Sequence, residues 1–226
     1  MGYIAAAVNK HGEDASETIL TMLRAASHSP AQSYGIAEYR NTEISKTPDF
    51  TSHDSPILLA SKNIFPERYP SEPLHQGDHS LVFKGILLDT VEPDTLSAAD
   101  TLKKDLVKGI ENLITERTGA YAVAAITKDS VLAGIDHIGT IPLYYGENKD
   151  YRALATNKKM LWSINIESTP LKPGQIIKIT ENQTTIAQIK TLETPRIQHT
   201  SPEKLHKIMI ETWLQSFNTI CNKIDF

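Results

Sequence analysis

Apolar positions along this chain fall into short runs separated by polar turns, and only a few stretches carry a helical spacing. MGYIAAAV (1–8) predicts a buried strand from the first residue. Ile19, Leu20, Met22, Leu23 and Ala26 then recur at helical spacing, so a helix is expected over about 15–27. Asp14 and Glu17 stand three apart ahead of it, as in a capping box, and Ser29-Pro30 should end it. YGIAEY (34–39) predicts a second strand, followed by a polar stretch from Arg40 to Ser55. PILLAS (56–61) and SLVFKGILLD (80–89) are rich in β-formers, and the Pro-rich FPERYPSEPLHQG between them should be irregular. Ser97 and Asp100 precede Leu102, Leu106, Ile110, Leu113 and Ile114, which predicts an amphipathic helix over 98–115.

The second half reads as hairpins. AYAVAAI (120–126) and VLAGID (131–136) flank a lysine–aspartate turn. LYYG and YRALAT flank Glu147–Asp150, and QIIKI (175–179) and TTIAQI (184–189) flank Glu181-Asn182. Ser201-Pro202-Glu203 reads as an N-cap, a proline at the first helical position and an acidic first turn. A last helix should run from there to about residue 221 with a stripe of Leu205, Ile208, Met209, Trp213 and Phe217. Hairpin-joined strands with helices set apart mean α+β, because a doubly wound parallel sheet would alternate strand and helix.

Composition narrows the function classes. The 226 residues are 40% hydrophobic and 22% charged, ordinary for a globular protein and unlike a disordered one. A formal charge of −4 gives no basis for broad nucleic-acid or acidic-membrane binding, and no apolar run approaches a membrane span. No charged-then-apolar leader opens the chain, so the cytoplasm is the default location. The one cysteine, Cys221, excludes an intramolecular disulfide and Cys-based zinc sites. Eight scattered histidines form no HExxH motif, and no metal or other cofactor is expected.

Several stretches, in order, resemble the N-terminal glutaminase domain of asparagine synthetases, a class II glutamine amidotransferase of the N-terminal-nucleophile type. IAAAV follows the place of the family's Met-Cys-Gly-Ile. In HSPAQSYGI (28–36), His28, Gly35 and Ile36 agree with a His-Arg-Gly-Pro-Asp-x-x-Gly-Ile stretch. EPL (72–74), LVFKGILLD (81–89) and TGAYAVA (118–124) fall at Gln-Pro-Leu, Leu-Val-Phe-Asn-Gly-Glu-Ile-Tyr-Asn and Asp-Gly-x-Phe-Ala-Phe-Ala. IDHIGTIPLYYG (135–146) is the most specific piece, similar to Arg-Asp-His-Ile-Gly-x-x-Pro-Leu-Tyr-Tyr-Gly. ATNKKML (155–161) and PLKPG (170–174) complete the series, which spans about residues 1–190. The resemblance implies a four-layer α-β-β-α sandwich of two facing antiparallel sheets. It divides the chain into an amidotransferase-like domain (1–195) and a linker with terminal helix (196–226) leading toward an ATP-dependent synthetase domain. The Ser-Gly-Gly-x-Asp-Ser loop of that second domain does not occur here. A shortened chain and a protein without that domain both fit the ending at Asp225-Phe226.

The resemblance also places the chemistry, and here the sequence departs from it. The family's thiolate nucleophile falls at Gly2, which offers no side chain, and the glycine after it falls at Tyr3, whose bulk is expected near the pocket. The oxyanion asparagine falls at Lys84, with Gly85 behind it kept. The arginine for the substrate carboxylate falls at Asn63, and the aspartate for its amine at Thr118. None of Gly2, Lys84, Gly85, Asn63 and Thr118 is therefore expected to be catalytic or substrate-binding as in the family. Lys84 reads as a solvated lysine, or as a cation holding an anion in the old pocket. Cys221 reads as a packed thiol, Asp136 and His137 as structural, and Tyr144 and Tyr145 as packing residues.

Three functions compete. One is a degenerate amidotransferase domain that does not hydrolyse glutamine and serves as a structural or regulatory module of an amide-forming synthetase. Another is a non-catalytic sensor of glutamine, another amino acid or a small anion. A live hydrolase with an unanticipated nucleophile is the third. Expected partners are a synthetase domain, or a second copy of the chain, against the terminal helix.

Overall fold

Alternation along the first strand sets the architecture. In YIAAAVN, the side chains of Ile4, Ala6 and Val8 enter one buried cluster, and those of Ala5 and Ala7 enter another on the opposite face. A strand buried on both faces must lie between two layers. The computed structural model describes residues 2–27, 30–50, 53–64, 72–88, 109–191 and 201–221. Its strands are β1 (Tyr3–Asn9), β2 (Ser33–Glu38), β3 (Asn41–Ser45), β4 (Ile57–Asn63), β5 (Leu74–Gln76), β6 (His79–Leu87), β7 (Gly119–Ile126), β8 (Val131–Ile135), β9 (Tyr144–Glu147), β10 (Tyr151–Ala155), β11 (Thr169–Pro170), β12 (Gln175–Ile179) and β13 (Thr184–Gln188). The helices are α1 (Ser16–Ala25), α2 (Ile110–Glu116), α3 (Lys158–Trp162) and α4 (Pro202–Cys221).

One sheet runs β11-β9-β10-β1-β4-β2-β3 and the other β13-β12-β8-β7-β6-β5, with every pairing antiparallel. Ile4, Val8, Ile57 and Leu59 of the first meet Val82, Ala124, Ile135 and Ile177 of the second in the inter-sheet core. Ile19, Leu23 and Met160 of α1 and α3 cover the outside of the first sheet. Leu113 and Ile114 of α2 pack on Leu81, Val123 and Ile176 outside the second. The α+β class and the four-layer α-β-β-α order of two facing antiparallel sheets are therefore as the sequence predicts.

The elements differ from expectation in a few places. Asp14 does not form a capping box; the N-cap position is Ala15, and Asp14 Oδ1 instead accepts from Ser16 N and Ser16 Oγ at 3.0 and 2.7 Å. The polar stretch after Arg40 contains β3, an edge strand whose outward residues need not be apolar. The Pro-rich connection ends in β5, reached through a cis Glu72–Pro73 bond. Of the helix expected over 98–115, the described part begins at Ile110, and 98–108 lie outside the described residues. Ser201 caps α4, its Oγ accepting from Lys204 N at 3.4 Å. Tyr145 packs on the inter-sheet core and Tyr144 on the helix side, as packing residues should. Asp136 is wholly structural: buried, it accepts from the backbone N–H groups of Tyr121, Ile138, Gly139 and Thr140.

Candidate functional site

The end of the inter-sheet layer where β1 begins gathers Gly2, Asn63 and Lys84, three of the positions that the sequence singled out. A strand sends every second side chain to one face. Ser61 and Asn63 therefore continue the inward row of Ile57 and Leu59 on β4, and Lys84 continues that of Val82 on β6. Gly2 opens the row of Ile4 on β1. Three sequences with ordinary strand periodicity thus converge on one point between the sheets.

At that point stands Lys84, only 2% exposed. Its Nζ donates to Glu72 Oε2 at 2.7 Å and to Asn63 Oδ1 at 3.0 Å. Asn63 Nδ2 in turn donates to Ser33 Oγ and to the Glu72 carbonyl, both at 3.1 Å. Ser61 Oγ donates to the same carbonyl at 2.5 Å. The Glu72-Pro73 segment lies across β2, so close that a Cβ on Gly35 would overlap the Glu72 carbonyl. Burial raises the Glu72 carboxyl above the ordinary value, and the Lys84 ammonium and a hydrogen bond from the Phe83 backbone only partly offset this. Lys84 is thus neither solvated nor free to hold an outside anion: the chain's own carboxylate occupies it. An ammonium in an apolar sandwich needs such a partner.

Position 2 is closed. A Cβ on Gly2 would run into the Lys62 carbonyl oxygen and come within 2.8 Å of Lys84 Nζ and 2.9 Å of its Cε. The space a nucleophile side chain would enter is the space the lysine fills. Tyr3 does not crowd this site, contrary to expectation; it points to the helix side and packs on the α1 cluster. Gly85 has φ +142, and a Cβ there would overlap the Ala120 carbonyl, so the glycine serves the close β6–β7 approach. Thr118 is not part of the cluster. It precedes β7, exposed, its carbonyl accepting from Leu88 N at 2.8 Å. Lys84 pairs with Ala122, four residues on, or about 13 Å along a strand.

Sequence reasoning missed Glu72 as a member of this group. The available signal was Lys84 itself, a cation two positions from Val82 in a strand buried on both faces. Lys62, a second buried lysine, points to the other face. Its Nζ donates to the Ala26 carbonyl at the end of α1 and stands 5.9 Å from the ring centres of both Tyr3 and Tyr34. Burial lowers its pKa. Among the described residues no group of three His, Cys, Asp or Glu could hold a metal, and no helix is long and apolar enough to cross a membrane.

Two facing antiparallel sheets, with helices outside and the first strand opening beside a polar cluster between them, define a class of architecture: the N-terminal-nucleophile-type sandwich of glutamine amidotransferases. In particular, the fold matches glutamine phosphoribosylpyrophosphate (PRPP) amidotransferase from B. subtilis complexed with ADP and GMP, at TM-score 0.67 and 16% identity over 84% of this chain and 49% of that one. It matches a structure described as the allosteric regulatory enzyme of purine biosynthesis at TM-score 0.68 and 15% identity, over 83% of this chain and 49% of that one. The chain thus spans about half the length of each. No family model matches the chain, and no curated protein matches it.

Proposed function

We propose that this is a glutamine amidotransferase-like domain of the asparagine synthetase type that has lost its nucleophile, does not hydrolyse glutamine, and acts as a structural or regulatory module of an amide-forming synthetase. The observation that carries the reading is the closed position 2. Covalent amidotransfer needs a thiol or hydroxyl beside an oxyanion donor and an open place for the substrate amide. Here Gly2 supplies no side chain, and Lys84 with its bound Glu72 fills the space beside it. The asparagine synthetase type rests on the ordered motif series, above all IDHIGTIPLYYG. The half-length match to larger amidotransferases is consistent with a second domain as partner.

Ammonia release from glutamine tests the reading directly. The purified protein is expected to show none above the buffer rate at high glutamine, and turnover at an ordinary enzymatic rate, about 1 per second or more, would overturn it. A thermal-shift series with glutamine, glutamate, asparagine and aspartate separates a silent module from a sensor, since a ligand that binds only the folded chain raises its melting temperature. No shift is expected with any of the four.

A further inference from the structure

Lys84, Asn63 and Glu72 form a more specific arrangement than an ion pair. The Lys84 amine touches both a primary carboxamide and a carboxyl, 3.0 Å and 2.7 Å from Nζ, with the residues of Lys84 and Asn63 only 2% and 8% exposed. The Glu72 side chain is 12% exposed. These are the three groups that an uncatalysed transamidation needs: a nucleophile, an acyl group with a volatile leaving group, and a proton carrier. We propose that Lys84 and Asn63 join in an intramolecular isopeptide bond, formed by the chain itself with Glu72 carrying the protons.

The chemistry closes without any co-reactant. Glu72 takes a proton from the Lys84 ammonium, leaving a neutral amine beside a neutral carboxyl. Low polarity favours this exchange, because it removes two charges from a site largely closed to water. The raised pKa of Glu72 works in the same direction. The free Nζ pair attacks Asn63 Cγ; a turn about the soft Cβ–Cγ bond presents the face of the amide. Glu72 then protonates Nδ2 and receives the second Nζ proton as the Cγ–Nδ2 bond breaks, and passes that proton to the departing ammonia, which returns Glu72 to a carboxylate. One C–N bond forms, one breaks, and ammonium leaves; nothing is oxidised or reduced. Proximity makes the step feasible, since well-oriented neighbours reach very high effective concentrations. Exclusion of water also protects the product from hydrolysis. The bond would tie β4 of one sheet to β6 of the other. This inference goes beyond the loss of glutaminase activity, and each stands or falls by a different measurement: here ammonia leaves once per chain, and no glutamine is needed.

Intact-mass spectrometry of the full chain decides it. The expected mass is short of the sequence mass by one ammonia. Digestion should yield a branched peptide linking residues 63 and 84. Glu72→Gln should retain the full mass while keeping the circular-dichroism spectrum of the parent. Asn63→Asp should link with loss of one water instead. Folded parent protein at full mass after long incubation at neutral pH would overturn the proposal. So would an ammonia loss mapped elsewhere, or linkage in Glu72→Gln as complete as in the parent. Should Glu72→Gln fail to fold, the masses of the parent and of Asn63→Asp still separate a linked chain from an unlinked one.

Discussion

Gly2 is the residue on which the reading of the site turns, and its environment makes a quantitative prediction. Any Cβ there meets a backbone carbonyl, which cannot swing aside as a side chain can. Gly2→Ala should therefore destabilise the fold by about 1–3 kcal/mol, the usual range for overpacking, seen as a lower urea midpoint. The double change Gly2→Cys with Tyr3→Gly restores the thiol and the small neighbour, yet the thiol would press on Lys84. Its ammonia release from glutamine should stay at the blank, and turnover near 1 per second or faster would mean the pocket reopens. Lys62 offers a test of sign. Burial lowers its pKa below 10.5, so at alkaline pH the unfolded chain holds a proton that the folded chain has lost. Stability contributed by this residue is present above the ordinary lysine pKa and is lost as pH falls through the folded value. The urea midpoint of the parent, compared with Lys62→Met, should therefore climb more as pH rises toward the ordinary lysine pKa.

At the scale of elements, the β6–β7 pair depends on Gly85. Its φ of +142 and the approach of the Ala120 carbonyl leave no place for a side chain. Gly85→Ala should cost about 1–3 kcal/mol and lower the melting temperature accordingly. The helix α4 behaves oppositely. Trp213 is 68% exposed and stacks on Phe217, at 5.8 Å between ring centres. Trp213→Glu should leave the stability of the sandwich within about 0.5 kcal/mol of the parent, measured by thermal melting. The apolar stripe of this helix was legible because its spacing is local, and its residues Leu205, Ile208, Met209, Trp213 and Phe217 are exposed. The hairpins at 120–135, 144–155 and 175–188 were legible for the same reason: alternation and a turn lie within one short window. β3 and β5 were not, since an edge strand carries little apolar signal and borrows its order from the neighbour it pairs with. The site was half legible. Motif order located Gly2, Asn63 and Lys84, but their contact depends on two sheets meeting. Glu72 joins them from a connection whose path no local pattern encodes.

Over the whole molecule, the two sheets share a core but not a schedule. β1 lies in the middle of its sheet, bonded to β4 on one side and to β10 on the other. Ala5 pairs with Ala60 and with Ala155, partners that lie far along the chain. The sheet that carries the site therefore cannot be completed until β11, about three-quarters of the way along the sequence, is available, and its central strand, made first, waits for β10 until nearly seven-tenths of it is made. Most of its pairings are non-local, and such topologies close slowly, in milliseconds to seconds where helical bundles take microseconds to milliseconds. Refolding from urea, followed by tyrosine fluorescence, should accordingly lie at the slow end. During synthesis at about 5–20 residues per second, the run IAAAV keeps at least one edge unpaired for several seconds or more before β10 emerges. A ribosome-bound chain stopped short of residue 155 should bind chaperones that the finished chain does not, which makes the wait of the opening strand this protein's period of greatest exposure to aggregation.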